Sequence, residues 1–302
     1  FTIGRLGVPI FLMISGYLLL DRVYDEERTL RFWKKNWVNL LRCTVFWYLI
    51  YDLFLKFYLK QEISILAVIT DLLFVHKLNM GHAWYMPMIL GMYVLVPFVS
   101  MALTSIDKHM LKFPMIFFTF IAFGCPLINV ISHTLQIGGL SVQLSAGFSG
   151  GVYGLYMIMG YLLKKGFLKS FKTGTCVFIG SIGLVLGVAL QIWAYSNNYE
   201  YNIWYDCLFL LIAGLMFFEA ASRIRSVPMY TMVKQISYYS FAIYLIHGMI
   251  RIILIKCVAN LHMMILVEVF VVWMLSFVIS LLCAWFINKI PVVGRIILNT
   301  KK

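Results

Sequence analysis

The segment ISYYSFAIYLIHGMIR carries Ser240, Tyr244, His247 and Arg251 at spacings of four, three and four. On a helix these positions share one face. A hydroxyl, a phenol, an imidazole and a guanidinium therefore line up inside an otherwise apolar run. Such a stripe serves either as a buried network holding helices together or as the wall of a substrate cavity. A second group lies in NMGHAWYMPMILGMYVLVP, where His82 precedes Trp84 and Tyr85. Imidazole transfers protons near neutral pH, and the aromatics suit a rigid ligand wall or membrane-interface anchors equally well. Arg5, in GRLGVPIFLMISGYLLL, has two readings: a snorkelling anchor, or a buried anion-binding or active-site arginine. Ser15 in the same run is expected to bond its preceding helical turn.

A fourth group is basic. DRVYDEERTLRFWKKNWVNLLR holds Lys34, Lys35 and Arg42, which suit anionic lipid headgroups or a phosphate-bearing donor arriving from the cytoplasm. Asp52, Asp206, Glu219 and Glu268 add acidic groups in or beside apolar runs. Asp52 and Glu219 fall near run boundaries and are expected to be wet; Asp206 and Glu268 suit helix pairing or a proton route. No metal-ligand series, Walker lysine loop or dinucleotide glycine fingerprint accompanies them. The six cysteines lie in or beside apolar runs without paired spacing and read as buried thiols.

The elements that position these groups are membrane helices. The chain has 302 residues, 62% hydrophobic and 12% charged, with a mean hydropathy of +0.90. That is more apolar side chain than one soluble domain hides. Nine apolar runs, near 5–20, 38–58, 84–103, 113–131, 147–163, 174–193, 203–219, 238–258 and 264–287, predict an all-α polytopic membrane protein forming a single domain over 1–302. The shorter run 63–75 contains Asp71 and predicts an interfacial or re-entrant helix. The stretches 59–83 and 132–146 are the longest on the outer side, where either an acceptor cleft or plain loop geometry would account for them.

The net charge of +13 would suggest nucleic acid in a soluble protein, but its distribution excludes that partner here. Eighteen Lys and Arg fall in one set of alternate connections, against Lys60 and Lys77 in the other. This asymmetry predicts a cytoplasmic C-terminus. Phe1 enters the first run at once, without an initiator Met or basic leader, which predicts one further helix upstream and ten spans with both termini inside.

Three segments together resemble the integral-membrane acyltransferase 3 family, especially members consisting of the membrane domain alone: RLGVPIFLMISGYLLL, GHAWYMPMILGMYVLVP and ISYYSFAIYLIH. Their order and separation fit the family over essentially the whole chain. The resemblance implies transfer of an acetyl or other short acyl group from acyl-CoA, acetyl-CoA in most members, to a hydroxyl or amine of a cell-envelope glycan or lipid-linked acceptor. It implies a bacterial-type inner membrane and contact with membrane lipid. The family's catalytic histidine is expected in the upstream helix. Within this chain Arg5 and His82 are the catalytic candidates; Trp84, Tyr85, Ser240, Tyr244 and His247 are expected to line the substrate site, and Lys34, Lys35 and Arg42 to hold the donor. The chain departs from the family at Asn36 and Asn39, where relatives place two arginines. A lipid-linked glycan exporter and an inactive scaffold are the alternatives.

Overall fold

The computed structural model describes residues 3–75, 80–107, 109–139, 151–261, 263–290 and 293–298, and among these it is helical with no strand. The helices are α1 (Gly7–Leu19), α2 (Glu26–Phe57), α3 (Ile65–Leu72), α4 (Tyr85–Ser105), α5 (Lys112–Thr134), α6 (Gly151–Lys164), α7 (Thr173–Ser196), α8 (Leu208–Ser222), α9 (Tyr230–Val258), α10 (Ile265–Lys289) and α11 (Val293–Leu298). Among the described residues six of them, α2, α4, α5, α7, α9 and α10, are long and apolar enough to cross a membrane. The other three expected spans correspond to α1, α6 and α8, of 13, 14 and 15 residues. At about 1.5 Å per residue these are shorter than the roughly 30 Å hydrocarbon layer. The run 63–75 forms α3, whose 8 residues reach only about 12 Å. Large apolar side chains face outward along the long helices, including Phe270, Trp273 and Val185. Lipid rather than water is the solvent such surfaces match. The protein is a polytopic helical membrane protein.

The chain forms two compact units, one of residues 1–25 and 95–225, the other of 26–94 and 226–302. In the first, α1 and α6 cross backbone to backbone. A Cβ at Gly16 would overlap the carbonyl of Met157, and one at Gly160 would overlap the carbonyl of Met13. The Met-x-x-Gly spacing of both helices makes this close approach reciprocal. Gly183 of α7 also packs on α8, less tightly, where a Cβ would stand 3.0 Å from the Phe209 carbonyl oxygen. The ends of these helices are fastened by charge. Asp21 pairs with Lys165 and, at 3.3 Å, with Lys164. Lys165 holds the Asp21 carboxyl below its usual range, and Asp21 raises Lys165. Arg223 binds Glu219 and donates to the carbonyls of Leu168 and Phe171, tying the 165–172 turn to α8.

In the second unit α10 lays Ser276, Ser280 and Ala284 inward, one residue per turn. Trp33 and Trp37 flank a π-helical turn in α2 and donate to the Val94 and Leu90 carbonyls of α4. Cys43 and Trp47 both donate to the Ile297 carbonyl, at 2.8 Å each, docking α11 on α2.

Three expectations are corrected. Asp52 and Glu219 are buried rather than wet, Glu219 because Arg223 partners it one turn on. Of the cysteines, Cys257 is exposed and Cys283 half-buried, on helices whose outer faces are apolar. A lipid-facing thiol satisfies the same apolar preference as a buried one. Residues 140–146 of the stretch 132–146 lie outside the described residues, as does Lys77.

Candidate functional site

In the second unit, five of the expected site residues come together. The turn carrying His82 precedes α4, with Ala83 N–H bonded to the Met80 carbonyl at 2.9 Å. Two tyrosine hydroxyls fasten it from different helices: Tyr244 of α9 donates to the His82 carbonyl and Tyr48 of α2 to the Ala83 carbonyl at 3.2 Å. The His82 ring then lies 4.8 Å from that of His247, 5.4 Å from Tyr51 and 5.6 Å from Tyr244, centroid to centroid. Tyr85 meets Tyr244 edge-on at 5.6 Å, and Trp84 meets Tyr85 at 6.1 Å. Gly248 makes the packing possible, since a Cβ there would overlap the Nδ1–Cε1 edge of His82.

Hydrogen-bond direction fixes what each imidazole offers. The single proton of the Tyr51 hydroxyl goes to the Leu245 carbonyl at 2.6 Å, so toward His82 Nε2, 3.2 Å away, Tyr51 is an acceptor. His82 therefore carries its proton on Nε2, and its lone pair is on Nδ1, on the edge facing Gly248. Burial, with His247 and then Arg251 beside it, pushes His82 down to about 3, so the ring is neutral at physiological pH. His247 has the opposite tautomer. Its Nδ1–H donates to the Tyr244 carbonyl at 2.6 Å, so in the uncharged ring the lone pair is on Nε2.

Ser240 does not join this cluster through its hydroxyl, which donates to the Ser237 carbonyl at 2.8 Å. Arg251 is exposed one turn beyond His247. Lys34, Lys35 and Arg42 are all exposed on α2, and Asn39 between them donates to the Lys35 carbonyl at 2.6 Å. Arg5 belongs to the first unit. Its guanidinium lies 4.0 Å from the centroid of the Trp204 ring and 5.6 Å from that of Tyr205. Tyr156 fixes this platform by donating to the Tyr205 carbonyl at 3.0 Å.

Tyr48, Tyr51, Gly248, Trp204 and Tyr205 are functional neighbours that the sequence reading passed over. The first two had a signal, phenols one turn apart running into Asp52 on one face of α2, a face that is buried. Asp52 is 2% exposed, and its polar neighbour is Asp71 of α3, 6% exposed, so a carboxyl faces a carboxyl beside the tyrosines. Among the described residues no three His, Cys, Asp or Glu side chains group as metal ligands.

A family model described as an acyltransferase domain matches residues 1–289. No curated protein and no solved structure matches the chain.

Proposed function

Because the chain belongs to the acyltransferase 3 family of membrane acyltransferases, we propose that it moves an acetyl or other short acyl group from acyl-CoA to a hydroxyl or amine of a cell-envelope glycan. The reading includes a bacterial-type inner membrane, a cytoplasmic C-terminus and donor entry from the cytoplasmic side. The observation that carries the chemical part is the complementary pair of imidazoles, His82 with its proton on Nε2 and His247 with its lone pair there.

In this mechanism His247 Nε2 takes the proton of the acceptor as its oxygen or nitrogen attacks the thioester carbonyl. The new bond to the acyl carbon forms, the carbon–sulfur bond breaks, and the CoA thiolate leaves and recovers the proton. His82 acts as a neutral positioning residue, held by Tyr51 and fixing the ring of His247 by contact. Trp84, Tyr85 and Tyr244 wall the acceptor site. In the first unit Arg5, over the ring of Trp204, supplies a fixed cation suited to negative charge that develops during transfer. Lys34, Lys35 and Arg42 hold donor phosphates.

The test is labelled acetyl-CoA supplied to the protein in proteoliposomes with a panel of envelope extracts, and mass-spectrometric detection of the acylated product. Acylation that depends on the protein supports the reading. Movement of a glycan across the membrane without acylation favours an exporter, and neither activity favours a scaffold.

A further inference from the structure

Within the second unit, α3 turns its apolar side chains outward, with Ile65 80% and Leu66 70% exposed. Such a face suits a helix lying in the membrane interface. Of its 8 residues the one that is buried is an acid, Asp71. Both ends of the helix are fixed. Ser64 caps the start, its Oγ accepting the Ala67 N–H at 3.1 Å. Past the end, Phe74 turns the chain with φ of 58°, returns its N–H to the Asp71 carbonyl at 3.0 Å and sets its ring edge-on to Tyr48 of α2 at 5.2 Å. Asp71 is thereby held before Asp52 of α2, and the helices meet carboxyl against carboxyl.

Neither oxygen of Asp52 takes a hydrogen bond from a described residue, and both are buried. The titratable groups around it direct their protons elsewhere. Tyr48, one turn before it, donates to the Ala83 carbonyl, Tyr51 donates to the Leu245 carbonyl, and the His82 ring donates to the Tyr51 oxygen. Lys56, one turn on along α2, is exposed and makes no bond to Asp52. An ionised Asp52 would therefore be a charge without solvent or donor, facing a second carboxyl, an arrangement that buried groups avoid by keeping a proton. A carboxyl that keeps its proton is itself a donor, and the acceptor in front of it is Asp71. A divalent cation between the two calls for more oxygen ligands than the pair supplies, and among the described residues no third His, Cys, Asp or Glu joins them.

We propose that Asp52 and Asp71 form a proton-binding site, in which Asp52 holds the proton and donates it to Asp71, and that this hydrogen bond docks α3 on α2. When hydroxide takes the proton at high pH, charge stands against charge and α3 is released. The site has no part in the acyl-transfer steps and does not depend on that reading. The experiment treats the full chain in nanodiscs with dicyclohexylcarbodiimide, an apolar reagent that adds to protonated carboxyls, or with a water-soluble carbodiimide, and maps the modified residues by mass spectrometry. The apolar reagent is expected to modify Asp52 at least about tenfold more than the soluble one at neutral pH, and Asp71→Asn, which removes the like charge and offers an amide donor, to cut that modification about tenfold at unchanged folded yield. Asp52→Asn keeps a donor toward Asp71. Proteolysis within 59–75, expected to rise at alkaline pH in the parent, should therefore stay at its neutral-pH level in that variant. An unmodified Asp52, modification indifferent to Asp71→Asn, or equal alkaline proteolysis of parent and Asp52→Asn overturns the site. Protection of Asp52 by Na⁺ or Ca²⁺ at constant pH overturns the proton in favour of a metal cation. Should a variant fail to fold, the infrared spectrum of the parent with and without ¹³C-aspartate decides: the C=O stretch of a protonated aspartic acid at neutral pH is expected, and its absence overturns the proposal.

Discussion

The imidazole of His82 occupies the space that any side chain at Gly248 would need. A ring from the turn before α4 thus reaches the backbone of α9, and a glycine in the middle of a long helix, ordinarily a cost of about 1 kcal/mol, acquires a reason. Gly248→Ala is expected to destabilise the protein by about 1–3 kcal/mol through overpacking. Thermal unfolding of Gly248→Ala, His82→Ala and the double variant checks the relation. The double variant should recover most of the loss, with a coupling of about 1 kcal/mol or more; additive losses would mean that the ring and the glycine do not share the space.

The same burial makes stability depend on pH. His82 is held at about 3 in the folded protein, against about 6.5 for an unperturbed ring. Below the unfolded value the unfolded chain binds a proton that the folded chain refuses, so stability falls as pH falls, by up to about 1.4 kcal/mol per pH unit until the folded value is reached. Unfolding midpoints between about pH 7 and 5 should drop less steeply in His82→Gln than in the parent. An unchanged slope would show that other groups carry the dependence.

The Arg5 guanidinium lies over Trp204, 4.0 Å from the ring centroid. Lysine preserves the charge but not the planar fork, so Arg5→Lys is expected to lower acyl transfer about tenfold or more while folded yield holds. Lys77→Ala serves as the reference for a general charge effect. Near-normal transfer by Arg5→Lys would remove the geometric role.

Among the helix crossings, that of α1 and α6 leaves no room at all. Gly16→Ala and Gly160→Ala each place a methyl group on a backbone carbonyl, which no rotamer change relieves, and each is expected to cost about 2 kcal/mol or more in stability or to abolish folded yield. Gly7→Ala, on the same helix with open space around it, should be harmless. Equal behaviour of the three variants would contradict the crossing.

Much of the architecture was legible because hydropathy reads lipid exposure directly. Helices formed where the apolar runs stand, and the stripe of α9 delivered Tyr244 and His247 to one place. Ser240 shows the limit of periodicity. It shares the face of Tyr244, but its hydroxyl is taken by its own helix. The neighbours of His82 were not legible, because Tyr51 and Gly248 come from helices remote in sequence and no spacing rule links them. Asp52 was misplaced for the same reason, since boundary position says nothing of an opposing Asp71, whereas the partner of Glu219 is Arg223 at i+4, a spacing the sequence does display. Cys257 exposes a further ambiguity, in that apolar sequence context marks a core and a lipid-facing surface alike.

The central claim is tested most directly by measuring acyl product and free CoA thiol together in proteoliposomes holding the parent protein or His247→Gln. The parent should release one thiol for each acyl group transferred to an envelope acceptor, and His247→Gln, at equal folded yield, should be slower by about 10²–10⁴. Parent-level transfer by His247→Gln would contradict the assignment of the proton acceptor, and the absence of both thiol release and acyl product in the parent would contradict the enzyme itself.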